Sequence, residues 1–276
     1  MTEMELTGIA KEIRKDIVTM AYRAPAVLHP APALSCTDLV TALYFAVMHL
    51  DPSQPRWAER DRFILSKGHA CPCQYAALAR RGFFDREELW KARGIGQMLQ
   101  GHPDMKKIPG IDMTSGSLGN GLSAGAGMAL YAKAKHMNFR TYVIVGDGET
   151  QEGAIWEAAL TASAKRLDNL VCIVDYNHLQ SCGVVDTISP MYPFADKWKS
   201  FGWETIEIDG HDMHAILSAL RRASDNNGRP TAIIAHTIKG KGVSFMENNN
   251  IWHARRPTDD EYRQAIADIE EGYVCR

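Results

Sequence analysis

Apolar residues at Leu6, Ile9, Ile13, Ile17 and Met20 recur with helical spacing until Pro25 closes the run, which predicts an amphipathic opening helix. Ser35-Cys36-Thr37-Asp38 reads as a capping box, with Asp standing in for Glu, ahead of Leu39, Val40, Leu43 and Val47. The pattern then shortens. Arg62–Leu65, Thr141–Val145, Leu170–Asp175, Trp203–Asp209 and Thr231–Thr237 are short apolar runs, mostly rich in Val and Ile, and predict five strands. Helical patterns over Glu152–Lys165 and Asp212–Ser224 separate the later runs, so the chain reads βαβαβ from Thr141 onward, and a last helix is expected from Thr258 to Glu271. This alternation predicts an α/β fold with a parallel sheet flanked by helices, in a single domain over 1–276.

Each expected strand runs into a polar or glycine-rich segment: Ser66-Lys67-Gly68-His69, Gly146-Asp147-Gly148-Glu149, Tyr176-Asn177-His178-Leu179, Gly210-His211 and Lys239-Gly240-Lys241-Gly242. Ligands of open α/β sheets collect outside the carboxyl ends of the strands, so these segments face one crevice. Asp147 and Asn177 offer oxygens there, and the Leu179 carbonyl a third. Magnesium takes about six oxygens, several of them from phosphate and water, so such a trio suits a metal-held phosphate ester. A lone Gly-Asp-Gly would be read as a turn. The Asn at the end of the next strand, 29 residues after Gly148, favours the metal site.

Thr114–Ala129 carries five glycines among small residues. A helix starting near Gly119–Leu122 would offer its first amides to an anion, and tight packing of the small residues is the competing explanation. His29, His69, His102 and His253 lie in glycine-, proline- or tryptophan-flanked loops, where an imidazole serves as a proton shuttle or as a hydrogen-bonded structural group. Lys239 and Lys241 are either a solvated turn or a counter-charge for phosphate. Arg93–Ser117 has little periodicity, and loops of that length in a compact domain are usually functional.

Composition narrows the partners. A net charge of −2 over 276 residues gives no reason to expect nucleic acid or an anionic membrane. The start of the chain, with Glu3 and Glu5, has no secretory pattern, and no run supplies the ~18 apolar residues of a membrane span. Six cysteines without a secretory context are expected to be reduced thiols in the cytoplasm, and the spacing of Cys71-Pro72-Cys73 does not suit zinc.

The motifs RFILSKGHA, GHPD with PGIDMTSGSLGNGLSAGAGMA, GDGETQEG with WEAA, LDNL and DYN, HTIKGKGVSFMENN and WHARRP resemble, in that order, the amino-terminal third of transketolases. The resemblance covers the chain from about Ile9 to the final helix. It implies the thiamine diphosphate-binding fold and the separate N-terminal subunit of a split transketolase. The activity implied is transfer of a two-carbon ketol unit from a ketose phosphate to an aldose phosphate. By position, Asp147, Asn177 and the Leu179 carbonyl match ligands of Mg2+, for which Ca2+ or Mn2+ can substitute. His69, Gly116, Ser117, Leu118, Gly148, Asn177, Lys239 and His253 match cofactor contacts. His29, His102 and His253 match sugar-facing catalytic histidines, and Glu152 matches a carboxylate at the subunit interface. The partner implied is a C-terminal subunit carrying the pyrimidine-binding and C-terminal domains, in an α2β2 heterotetramer.

The chain departs from that pattern at Leu28, Ala31, Pro32 and Ala33, which flank His29, so an altered substrate mouth is expected. The Gly-Asp-Gly to Asn logic is shared with the α subunit of 2-oxo-acid dehydrogenases, against which SKGH and GHPD stand. A catalytically silent binding subunit is a further alternative. The particular ketose and aldose are not legible in these residues.

Overall fold

The computed structural model of the chain describes residues 1–225 and 227–272. Its strands are β1 (Arg62–Leu65), β2 (Thr141–Gly146), β3 (Leu170–Tyr176), β4 (Leu179–Gln180), β5 (Gly183–Val184), β6 (Glu204–Asp209) and β7 (Thr231–His236). Its α-helices are α1 (Glu3–Arg23), α2 (Pro30–Ser35), α3 (Thr37–Ala42), α4 (Cys71–Arg81) and α5 (Asn120–Ala134). After these come α6 (Gly153–Ala164), α7 (Val185–Ile188), α8 (Phe194–Ser200), α9 (Met213–Arg222) and α10 (Asp259–Glu271). Five strands form one parallel sheet in the order β1-β2-β3-β7-β6, and β4 pairs antiparallel with β5 in a separate ribbon.

The five expected strands are therefore present, with boundaries shifted by at most one residue. β3 is buried along its whole length, as a strand covered on both faces must be, and this explains its unbroken apolar run. Successive side chains go to opposite layers. Phe63, Leu65, Ile144, Ile173 and Ile233 join α1, α3, α4 and α9 in one core. Ile64, Val143, Val145, Cys172, Val174 and Ile234 join α5, α6 and α8 in the other. The helices that lead directly into the next strand as the chain advances across the sheet are α5, α6 and α8, whereas the connection that steps back from β6 to β7 carries α9. Crossovers of a single hand place these helices on opposite faces. The direction of winding changes between β3 and β7, and a crevice opens there.

α1 is closed at its start by a true capping box between Thr2 and Glu5 and ends at Arg23, with Ala24 as its C-cap before Pro25. The capping box expected at Ser35 is not one. Ser35 ends α2 and turns its hydroxyl to Asp175, while α3 starts at Thr37, after Cys36, with no side-chain cap. A five-residue π-helical turn, Leu43–Val47, follows α3. The β4–β5 ribbon, α7 and α8 lie between β3 and β6, where the pattern of the chain announced no element. Residues 95–119 hold only turns and bends, as expected of the long loop. Among the described residues, no helix is long and apolar enough to cross a membrane.

Candidate active site

The floor of the crevice is a buried ion pair. Lys67, just past β1, places its ammonium against Oδ2 of Asp175 in β3 and also donates to the Pro32 carbonyl (2.9 Å). Ser35 (2.7 Å) and Thr237 donate to Oδ1 of the same carboxylate. Burial alone would push each charge toward its neutral form. The opposite charge outweighs it, so Lys67 is held above and Asp175 below the ordinary value.

This floor orients Asn177. Its Nδ2 donates to Asp175 Oδ2 (3.2 Å) and Ser35 Oγ (3.0 Å), so its Oδ1 points the other way and accepts the Leu179 N–H (3.0 Å). Asp147 is buried and accepts from the backbone N–H groups of Gly148 (2.7 Å) and His178 (2.5 Å). Among the described residues no cationic side chain stands within ion-pair distance of it, and burial followed by the nearby Asp175 charge pushes its carboxyl up to about 6. The Leu179 carbonyl accepts from the ammonium of Lys239 (3.2 Å), so a cation already rests at that oxygen. One carboxylate short of positive charge, one oriented amide oxygen and one cation-accepting carbonyl are hard oxygen donors, which fit a hard divalent ion.

A cleft of about 420 Å³ lies over these groups. It brings together His29, His69, His102, Gly116, Leu118, Asp147, Gly148, Glu152, Asn177, Leu179, Lys239 and His253, all of them singled out in the sequence. Ser117 is not among its walls; its hydroxyl accepts from Asn120 (3.0 Å). Lys241 pairs with Glu247 (3.6 Å), so of the two loop lysines it is Lys239 that lines the crevice.

His29, His69 and His253 form a ring cluster, with centroids 5.2 to 5.3 Å apart. Burial, then neighbouring positive groups, lowers His29 to about 4 and His253 to about 3, and holds His69 well below the usual imidazole value. Nδ1 of His29 and Nδ1 of His253 are buried without a hydrogen-bond partner. His29 and His253 line the cleft as neutral imidazoles, which suits rings that exchange protons with a hydroxylated ligand. His102 is more exposed and stands over Gly116, where a Cβ would come within 3.2 Å of its ring.

The start of α5 corrects one expectation. The Gly119 N–H donates to Glu149 Oε1 (2.9 Å) and the Gly121 N–H to Ser66 Oγ (3.1 Å), while Ser66 itself donates to Glu149. The anion at this helix start is thus the protein's own buried carboxylate. Glu149 also accepts the Gly146 N–H (3.0 Å), tying together the ends of β1 and β2 and the start of α5. Its place beside Asp147 was the only signal for it in the sequence. Glu152 stands exposed at the cleft rim, its Cβ pressed against the glycine at 119, which has φ 83°.

The residues expected to alter the mouth behave differently from one another. Leu28, Ala31 and Ala33 are buried in the core and only Pro32 lines the cleft. Cys71 and Cys73 are buried in the first turn of α4, and no group of three or more His, Cys, Asp or Glu suited to a metal occurs among the described residues.

A doubly covered parallel sheet with a lysine floor, oxygen donors and clustered histidines at its switch point defines an α/β enzyme domain built to hold a phosphate ester. Comparison with known proteins names the family. The family model described as "Transketolase, thiamine diphosphate binding domain" matches residues 9–269. The chain is 46% identical over 243 residues to the 6-deoxy-6-sulfo-D-fructose transketolase subunit SqwG of Clostridium sp. (strain MSTE9), covering 88% of each chain. It is 41% identical over 258 residues to an apulose-4-phosphate transketolase subunit of Phocaeicola vulgatus, covering 94% of this chain and 91% of that protein. Against the solved transketolase of Campylobacter jejuni it superposes with a TM-score of 0.91 at 27% identity, covering 98% of this chain and 43% of that one. The transketolase of Pichia stipitis solved with sedoheptulose 7-phosphate gives 0.87 at 28% identity, covering 97% and 40%. The chain belongs to the transketolase family, as its thiamine diphosphate-binding part. It spans about two fifths of the solved transketolases it matches, and nearly the whole of the relatives named as subunits.

Proposed function

We propose that the chain is the N-terminal subunit of a split transketolase that transfers a two-carbon ketol unit from a ketose phosphate to an aldose phosphate. The observation that carries this reading is the single cleft in which Asp147, Asn177, Leu179 and Lys239 face the His29, His69 and His253 cluster. Relatives of matching length named as transketolase subunits support it. On the same grounds we favour it over the α subunit of a 2-oxo-acid dehydrogenase.

In this reading Asp147, Asn177 and the Leu179 carbonyl hold a magnesium ion, and Lys239, Gly148 and the Gly116–Leu118 turn receive the cofactor's diphosphate. Thiamine diphosphate supplies the electron sink that lets a carbon–carbon bond beside a carbonyl break. His29 and His253, kept neutral by burial, move protons at the sugar hydroxyls, and His69 crowds the cofactor side of the same cluster. His102 meets the sugar nearer the rim. Glu152, exposed beside the start of α5, faces a partner chain that brings the pyrimidine-binding and C-terminal domains. The chain is then one diphosphate-binding domain of a cytoplasmic α2β2 assembly.

Reconstitution tests this. The chain alone, with thiamine diphosphate and magnesium, is expected to give no ketol transfer. Titration with the partner subunit should restore it with a break near equal stoichiometry. Full turnover by the chain in isolation overturns the split-enzyme reading.

A further inference from the structure

The β4–β5 ribbon carries Leu179, yet it is only two residue pairs long. A two-stranded ribbon of that size is at best marginal by itself. Side chains from elsewhere hold it. The Lys239 ammonium donates to the carbonyls of Leu179 (3.2 Å) and Gln180 (3.3 Å). Asn250 Nδ2 donates to the carbonyl of Ser181 (2.8 Å), and Asn250 Oδ1 accepts from Lys239 (2.7 Å). Three successive carbonyls are thus held by an ammonium and an amide that are bonded to each other. A lysine only donates and a carbonyl only accepts, so both ends of the Asn250 amide are assigned by its partners.

Asn250 opens the short 3-10 turn Asn250–Ala254, which also carries His253. Trp252 anchors that turn, buried against Phe245 and under the Arg255 guanidinium. On the other side of the ribbon, Gln180 covers Gly148, where a Cβ would meet its side chain at 2.8 Å. One side chain therefore joins the segment that carries a metal-facing carbonyl to the segment that carries a sugar-facing histidine.

We propose that Asn250 is a positioning residue: it latches the β4–β5 ribbon, through Lys239 and Ser181, to the turn that carries His253. The inference rests on the transketolase reading for its consequence, which is that the diphosphate end and the sugar end of the cleft are set by one latch. The latch itself concerns the chain's own contacts.

Asn250→Ala removes both bonds, and Asn250→Asp keeps an acceptor for Lys239 while turning an oxygen toward the Ser181 carbonyl. Amide hydrogen exchange on the full chain is the direct readout. In Asn250→Ala the amides of 179–184 should exchange at least about tenfold faster, the scale of losing a hydrogen bond to a charged group, and in Asn250→Asp, where an oxygen replaces the donor to the Ser181 carbonyl, they should also exchange faster. Exchange in β2 and β3 and the thermal midpoint should stay unchanged. In the assembled enzyme, magnesium-dependent affinity for thiamine diphosphate should fall about tenfold and kcat should fall with it, as expected when an outer partner of a ligand is lost. Unaltered ribbon exchange in Asn250→Ala overturns the latch, as does wild-type behaviour of Asn250→Asp or faster exchange only as part of a general drop in thermal midpoint. If the wild-type assembly binds no thiamine diphosphate, the transketolase reading fails instead, and ribbon exchange still decides the latch.

Discussion

Lys67 and Asp175 lie 108 positions apart in the chain and form a fully buried ion pair beneath the cleft. The pair does more than neutralise itself. Through Oδ2, Asp175 also sets the amide of Asn177, so the floor of the site determines which atom of Asn177 faces up.

Removing one member of a buried pair leaves an uncompensated charge, which costs about 3–5 kcal/mol. Asp175→Asn is expected to lose stability on that scale in urea denaturation, although it keeps the shape and the Ser35 and Thr237 contacts. As an outer partner of Asn177, Asp175 should also matter for metal-dependent cofactor binding, by about 10–100-fold. A variant within 1 kcal/mol of wild type, on the order of a surface change, would contradict the role assigned to the pair.

Asp147 is the carboxylate of the oxygen trio. Asp147→Ala should abolish retention of thiamine diphosphate with magnesium by the assembled enzyme, and Asn177→Ala should weaken it. Isothermal titration calorimetry measures both. Unchanged affinity in the Asp147 variant would remove the metal assignment.

His29, at about 4, and His253, at about 3, take up protons well below the ~6.5 of a solvated histidine. The unfolded chain therefore binds protons through a range where the folded chain does not. Their contribution to stability is complete above about pH 6.5 and is lost as pH falls toward the folded values. Urea midpoints should drop from pH 7 to pH 5 in the wild type and drop less in a His29→Gln, His253→Gln double variant. Equal slopes would mean that these rings are charged in the folded protein. At neutral pH, His29→Ala and His253→Ala should each lower kcat by about a hundredfold, with cofactor affinity changed less, least of all for His29.

Two glycines of the α5 segment should respond in opposite directions. Gly119 has φ 83° and a Cβ there would meet the Cβ of Glu152 at 2.7 Å, so Gly119→Ala should lower the thermal midpoint and displace Glu152. Gly127 has open space around it in mid-helix, and Gly127→Ala should stabilise the isolated chain by about 0.5–1 kcal/mol. The same Ala should weaken assembly if this face packs against the partner, which sedimentation of the mixture would detect.

The amino-acid sequence by itself determined the five strands of the parallel sheet and the edge on which chemistry gathers, because side-chain period and turn residues are local properties. The Asp147 to Asn177 relation was legible for the same reason, since two neighbouring parallel strands place their following residues side by side. Tertiary structure alone decided what the polar groups do there. Ser35 reads locally as a helix cap and instead binds Asp175, 140 positions away, because a buried carboxylate must be satisfied and the fold delivers the hydroxyl to it. Glu149 read locally as one member of the polar segment after β2 and is the buried acceptor for the start of α5. Leu28, Ala31 and Ala33 flank a cleft histidine in sequence and yet face the core. Local pattern records which face a residue turns within its own element. Which distant donor meets which acceptor depends on how the layers pack, and a one-dimensional period carries no information about that.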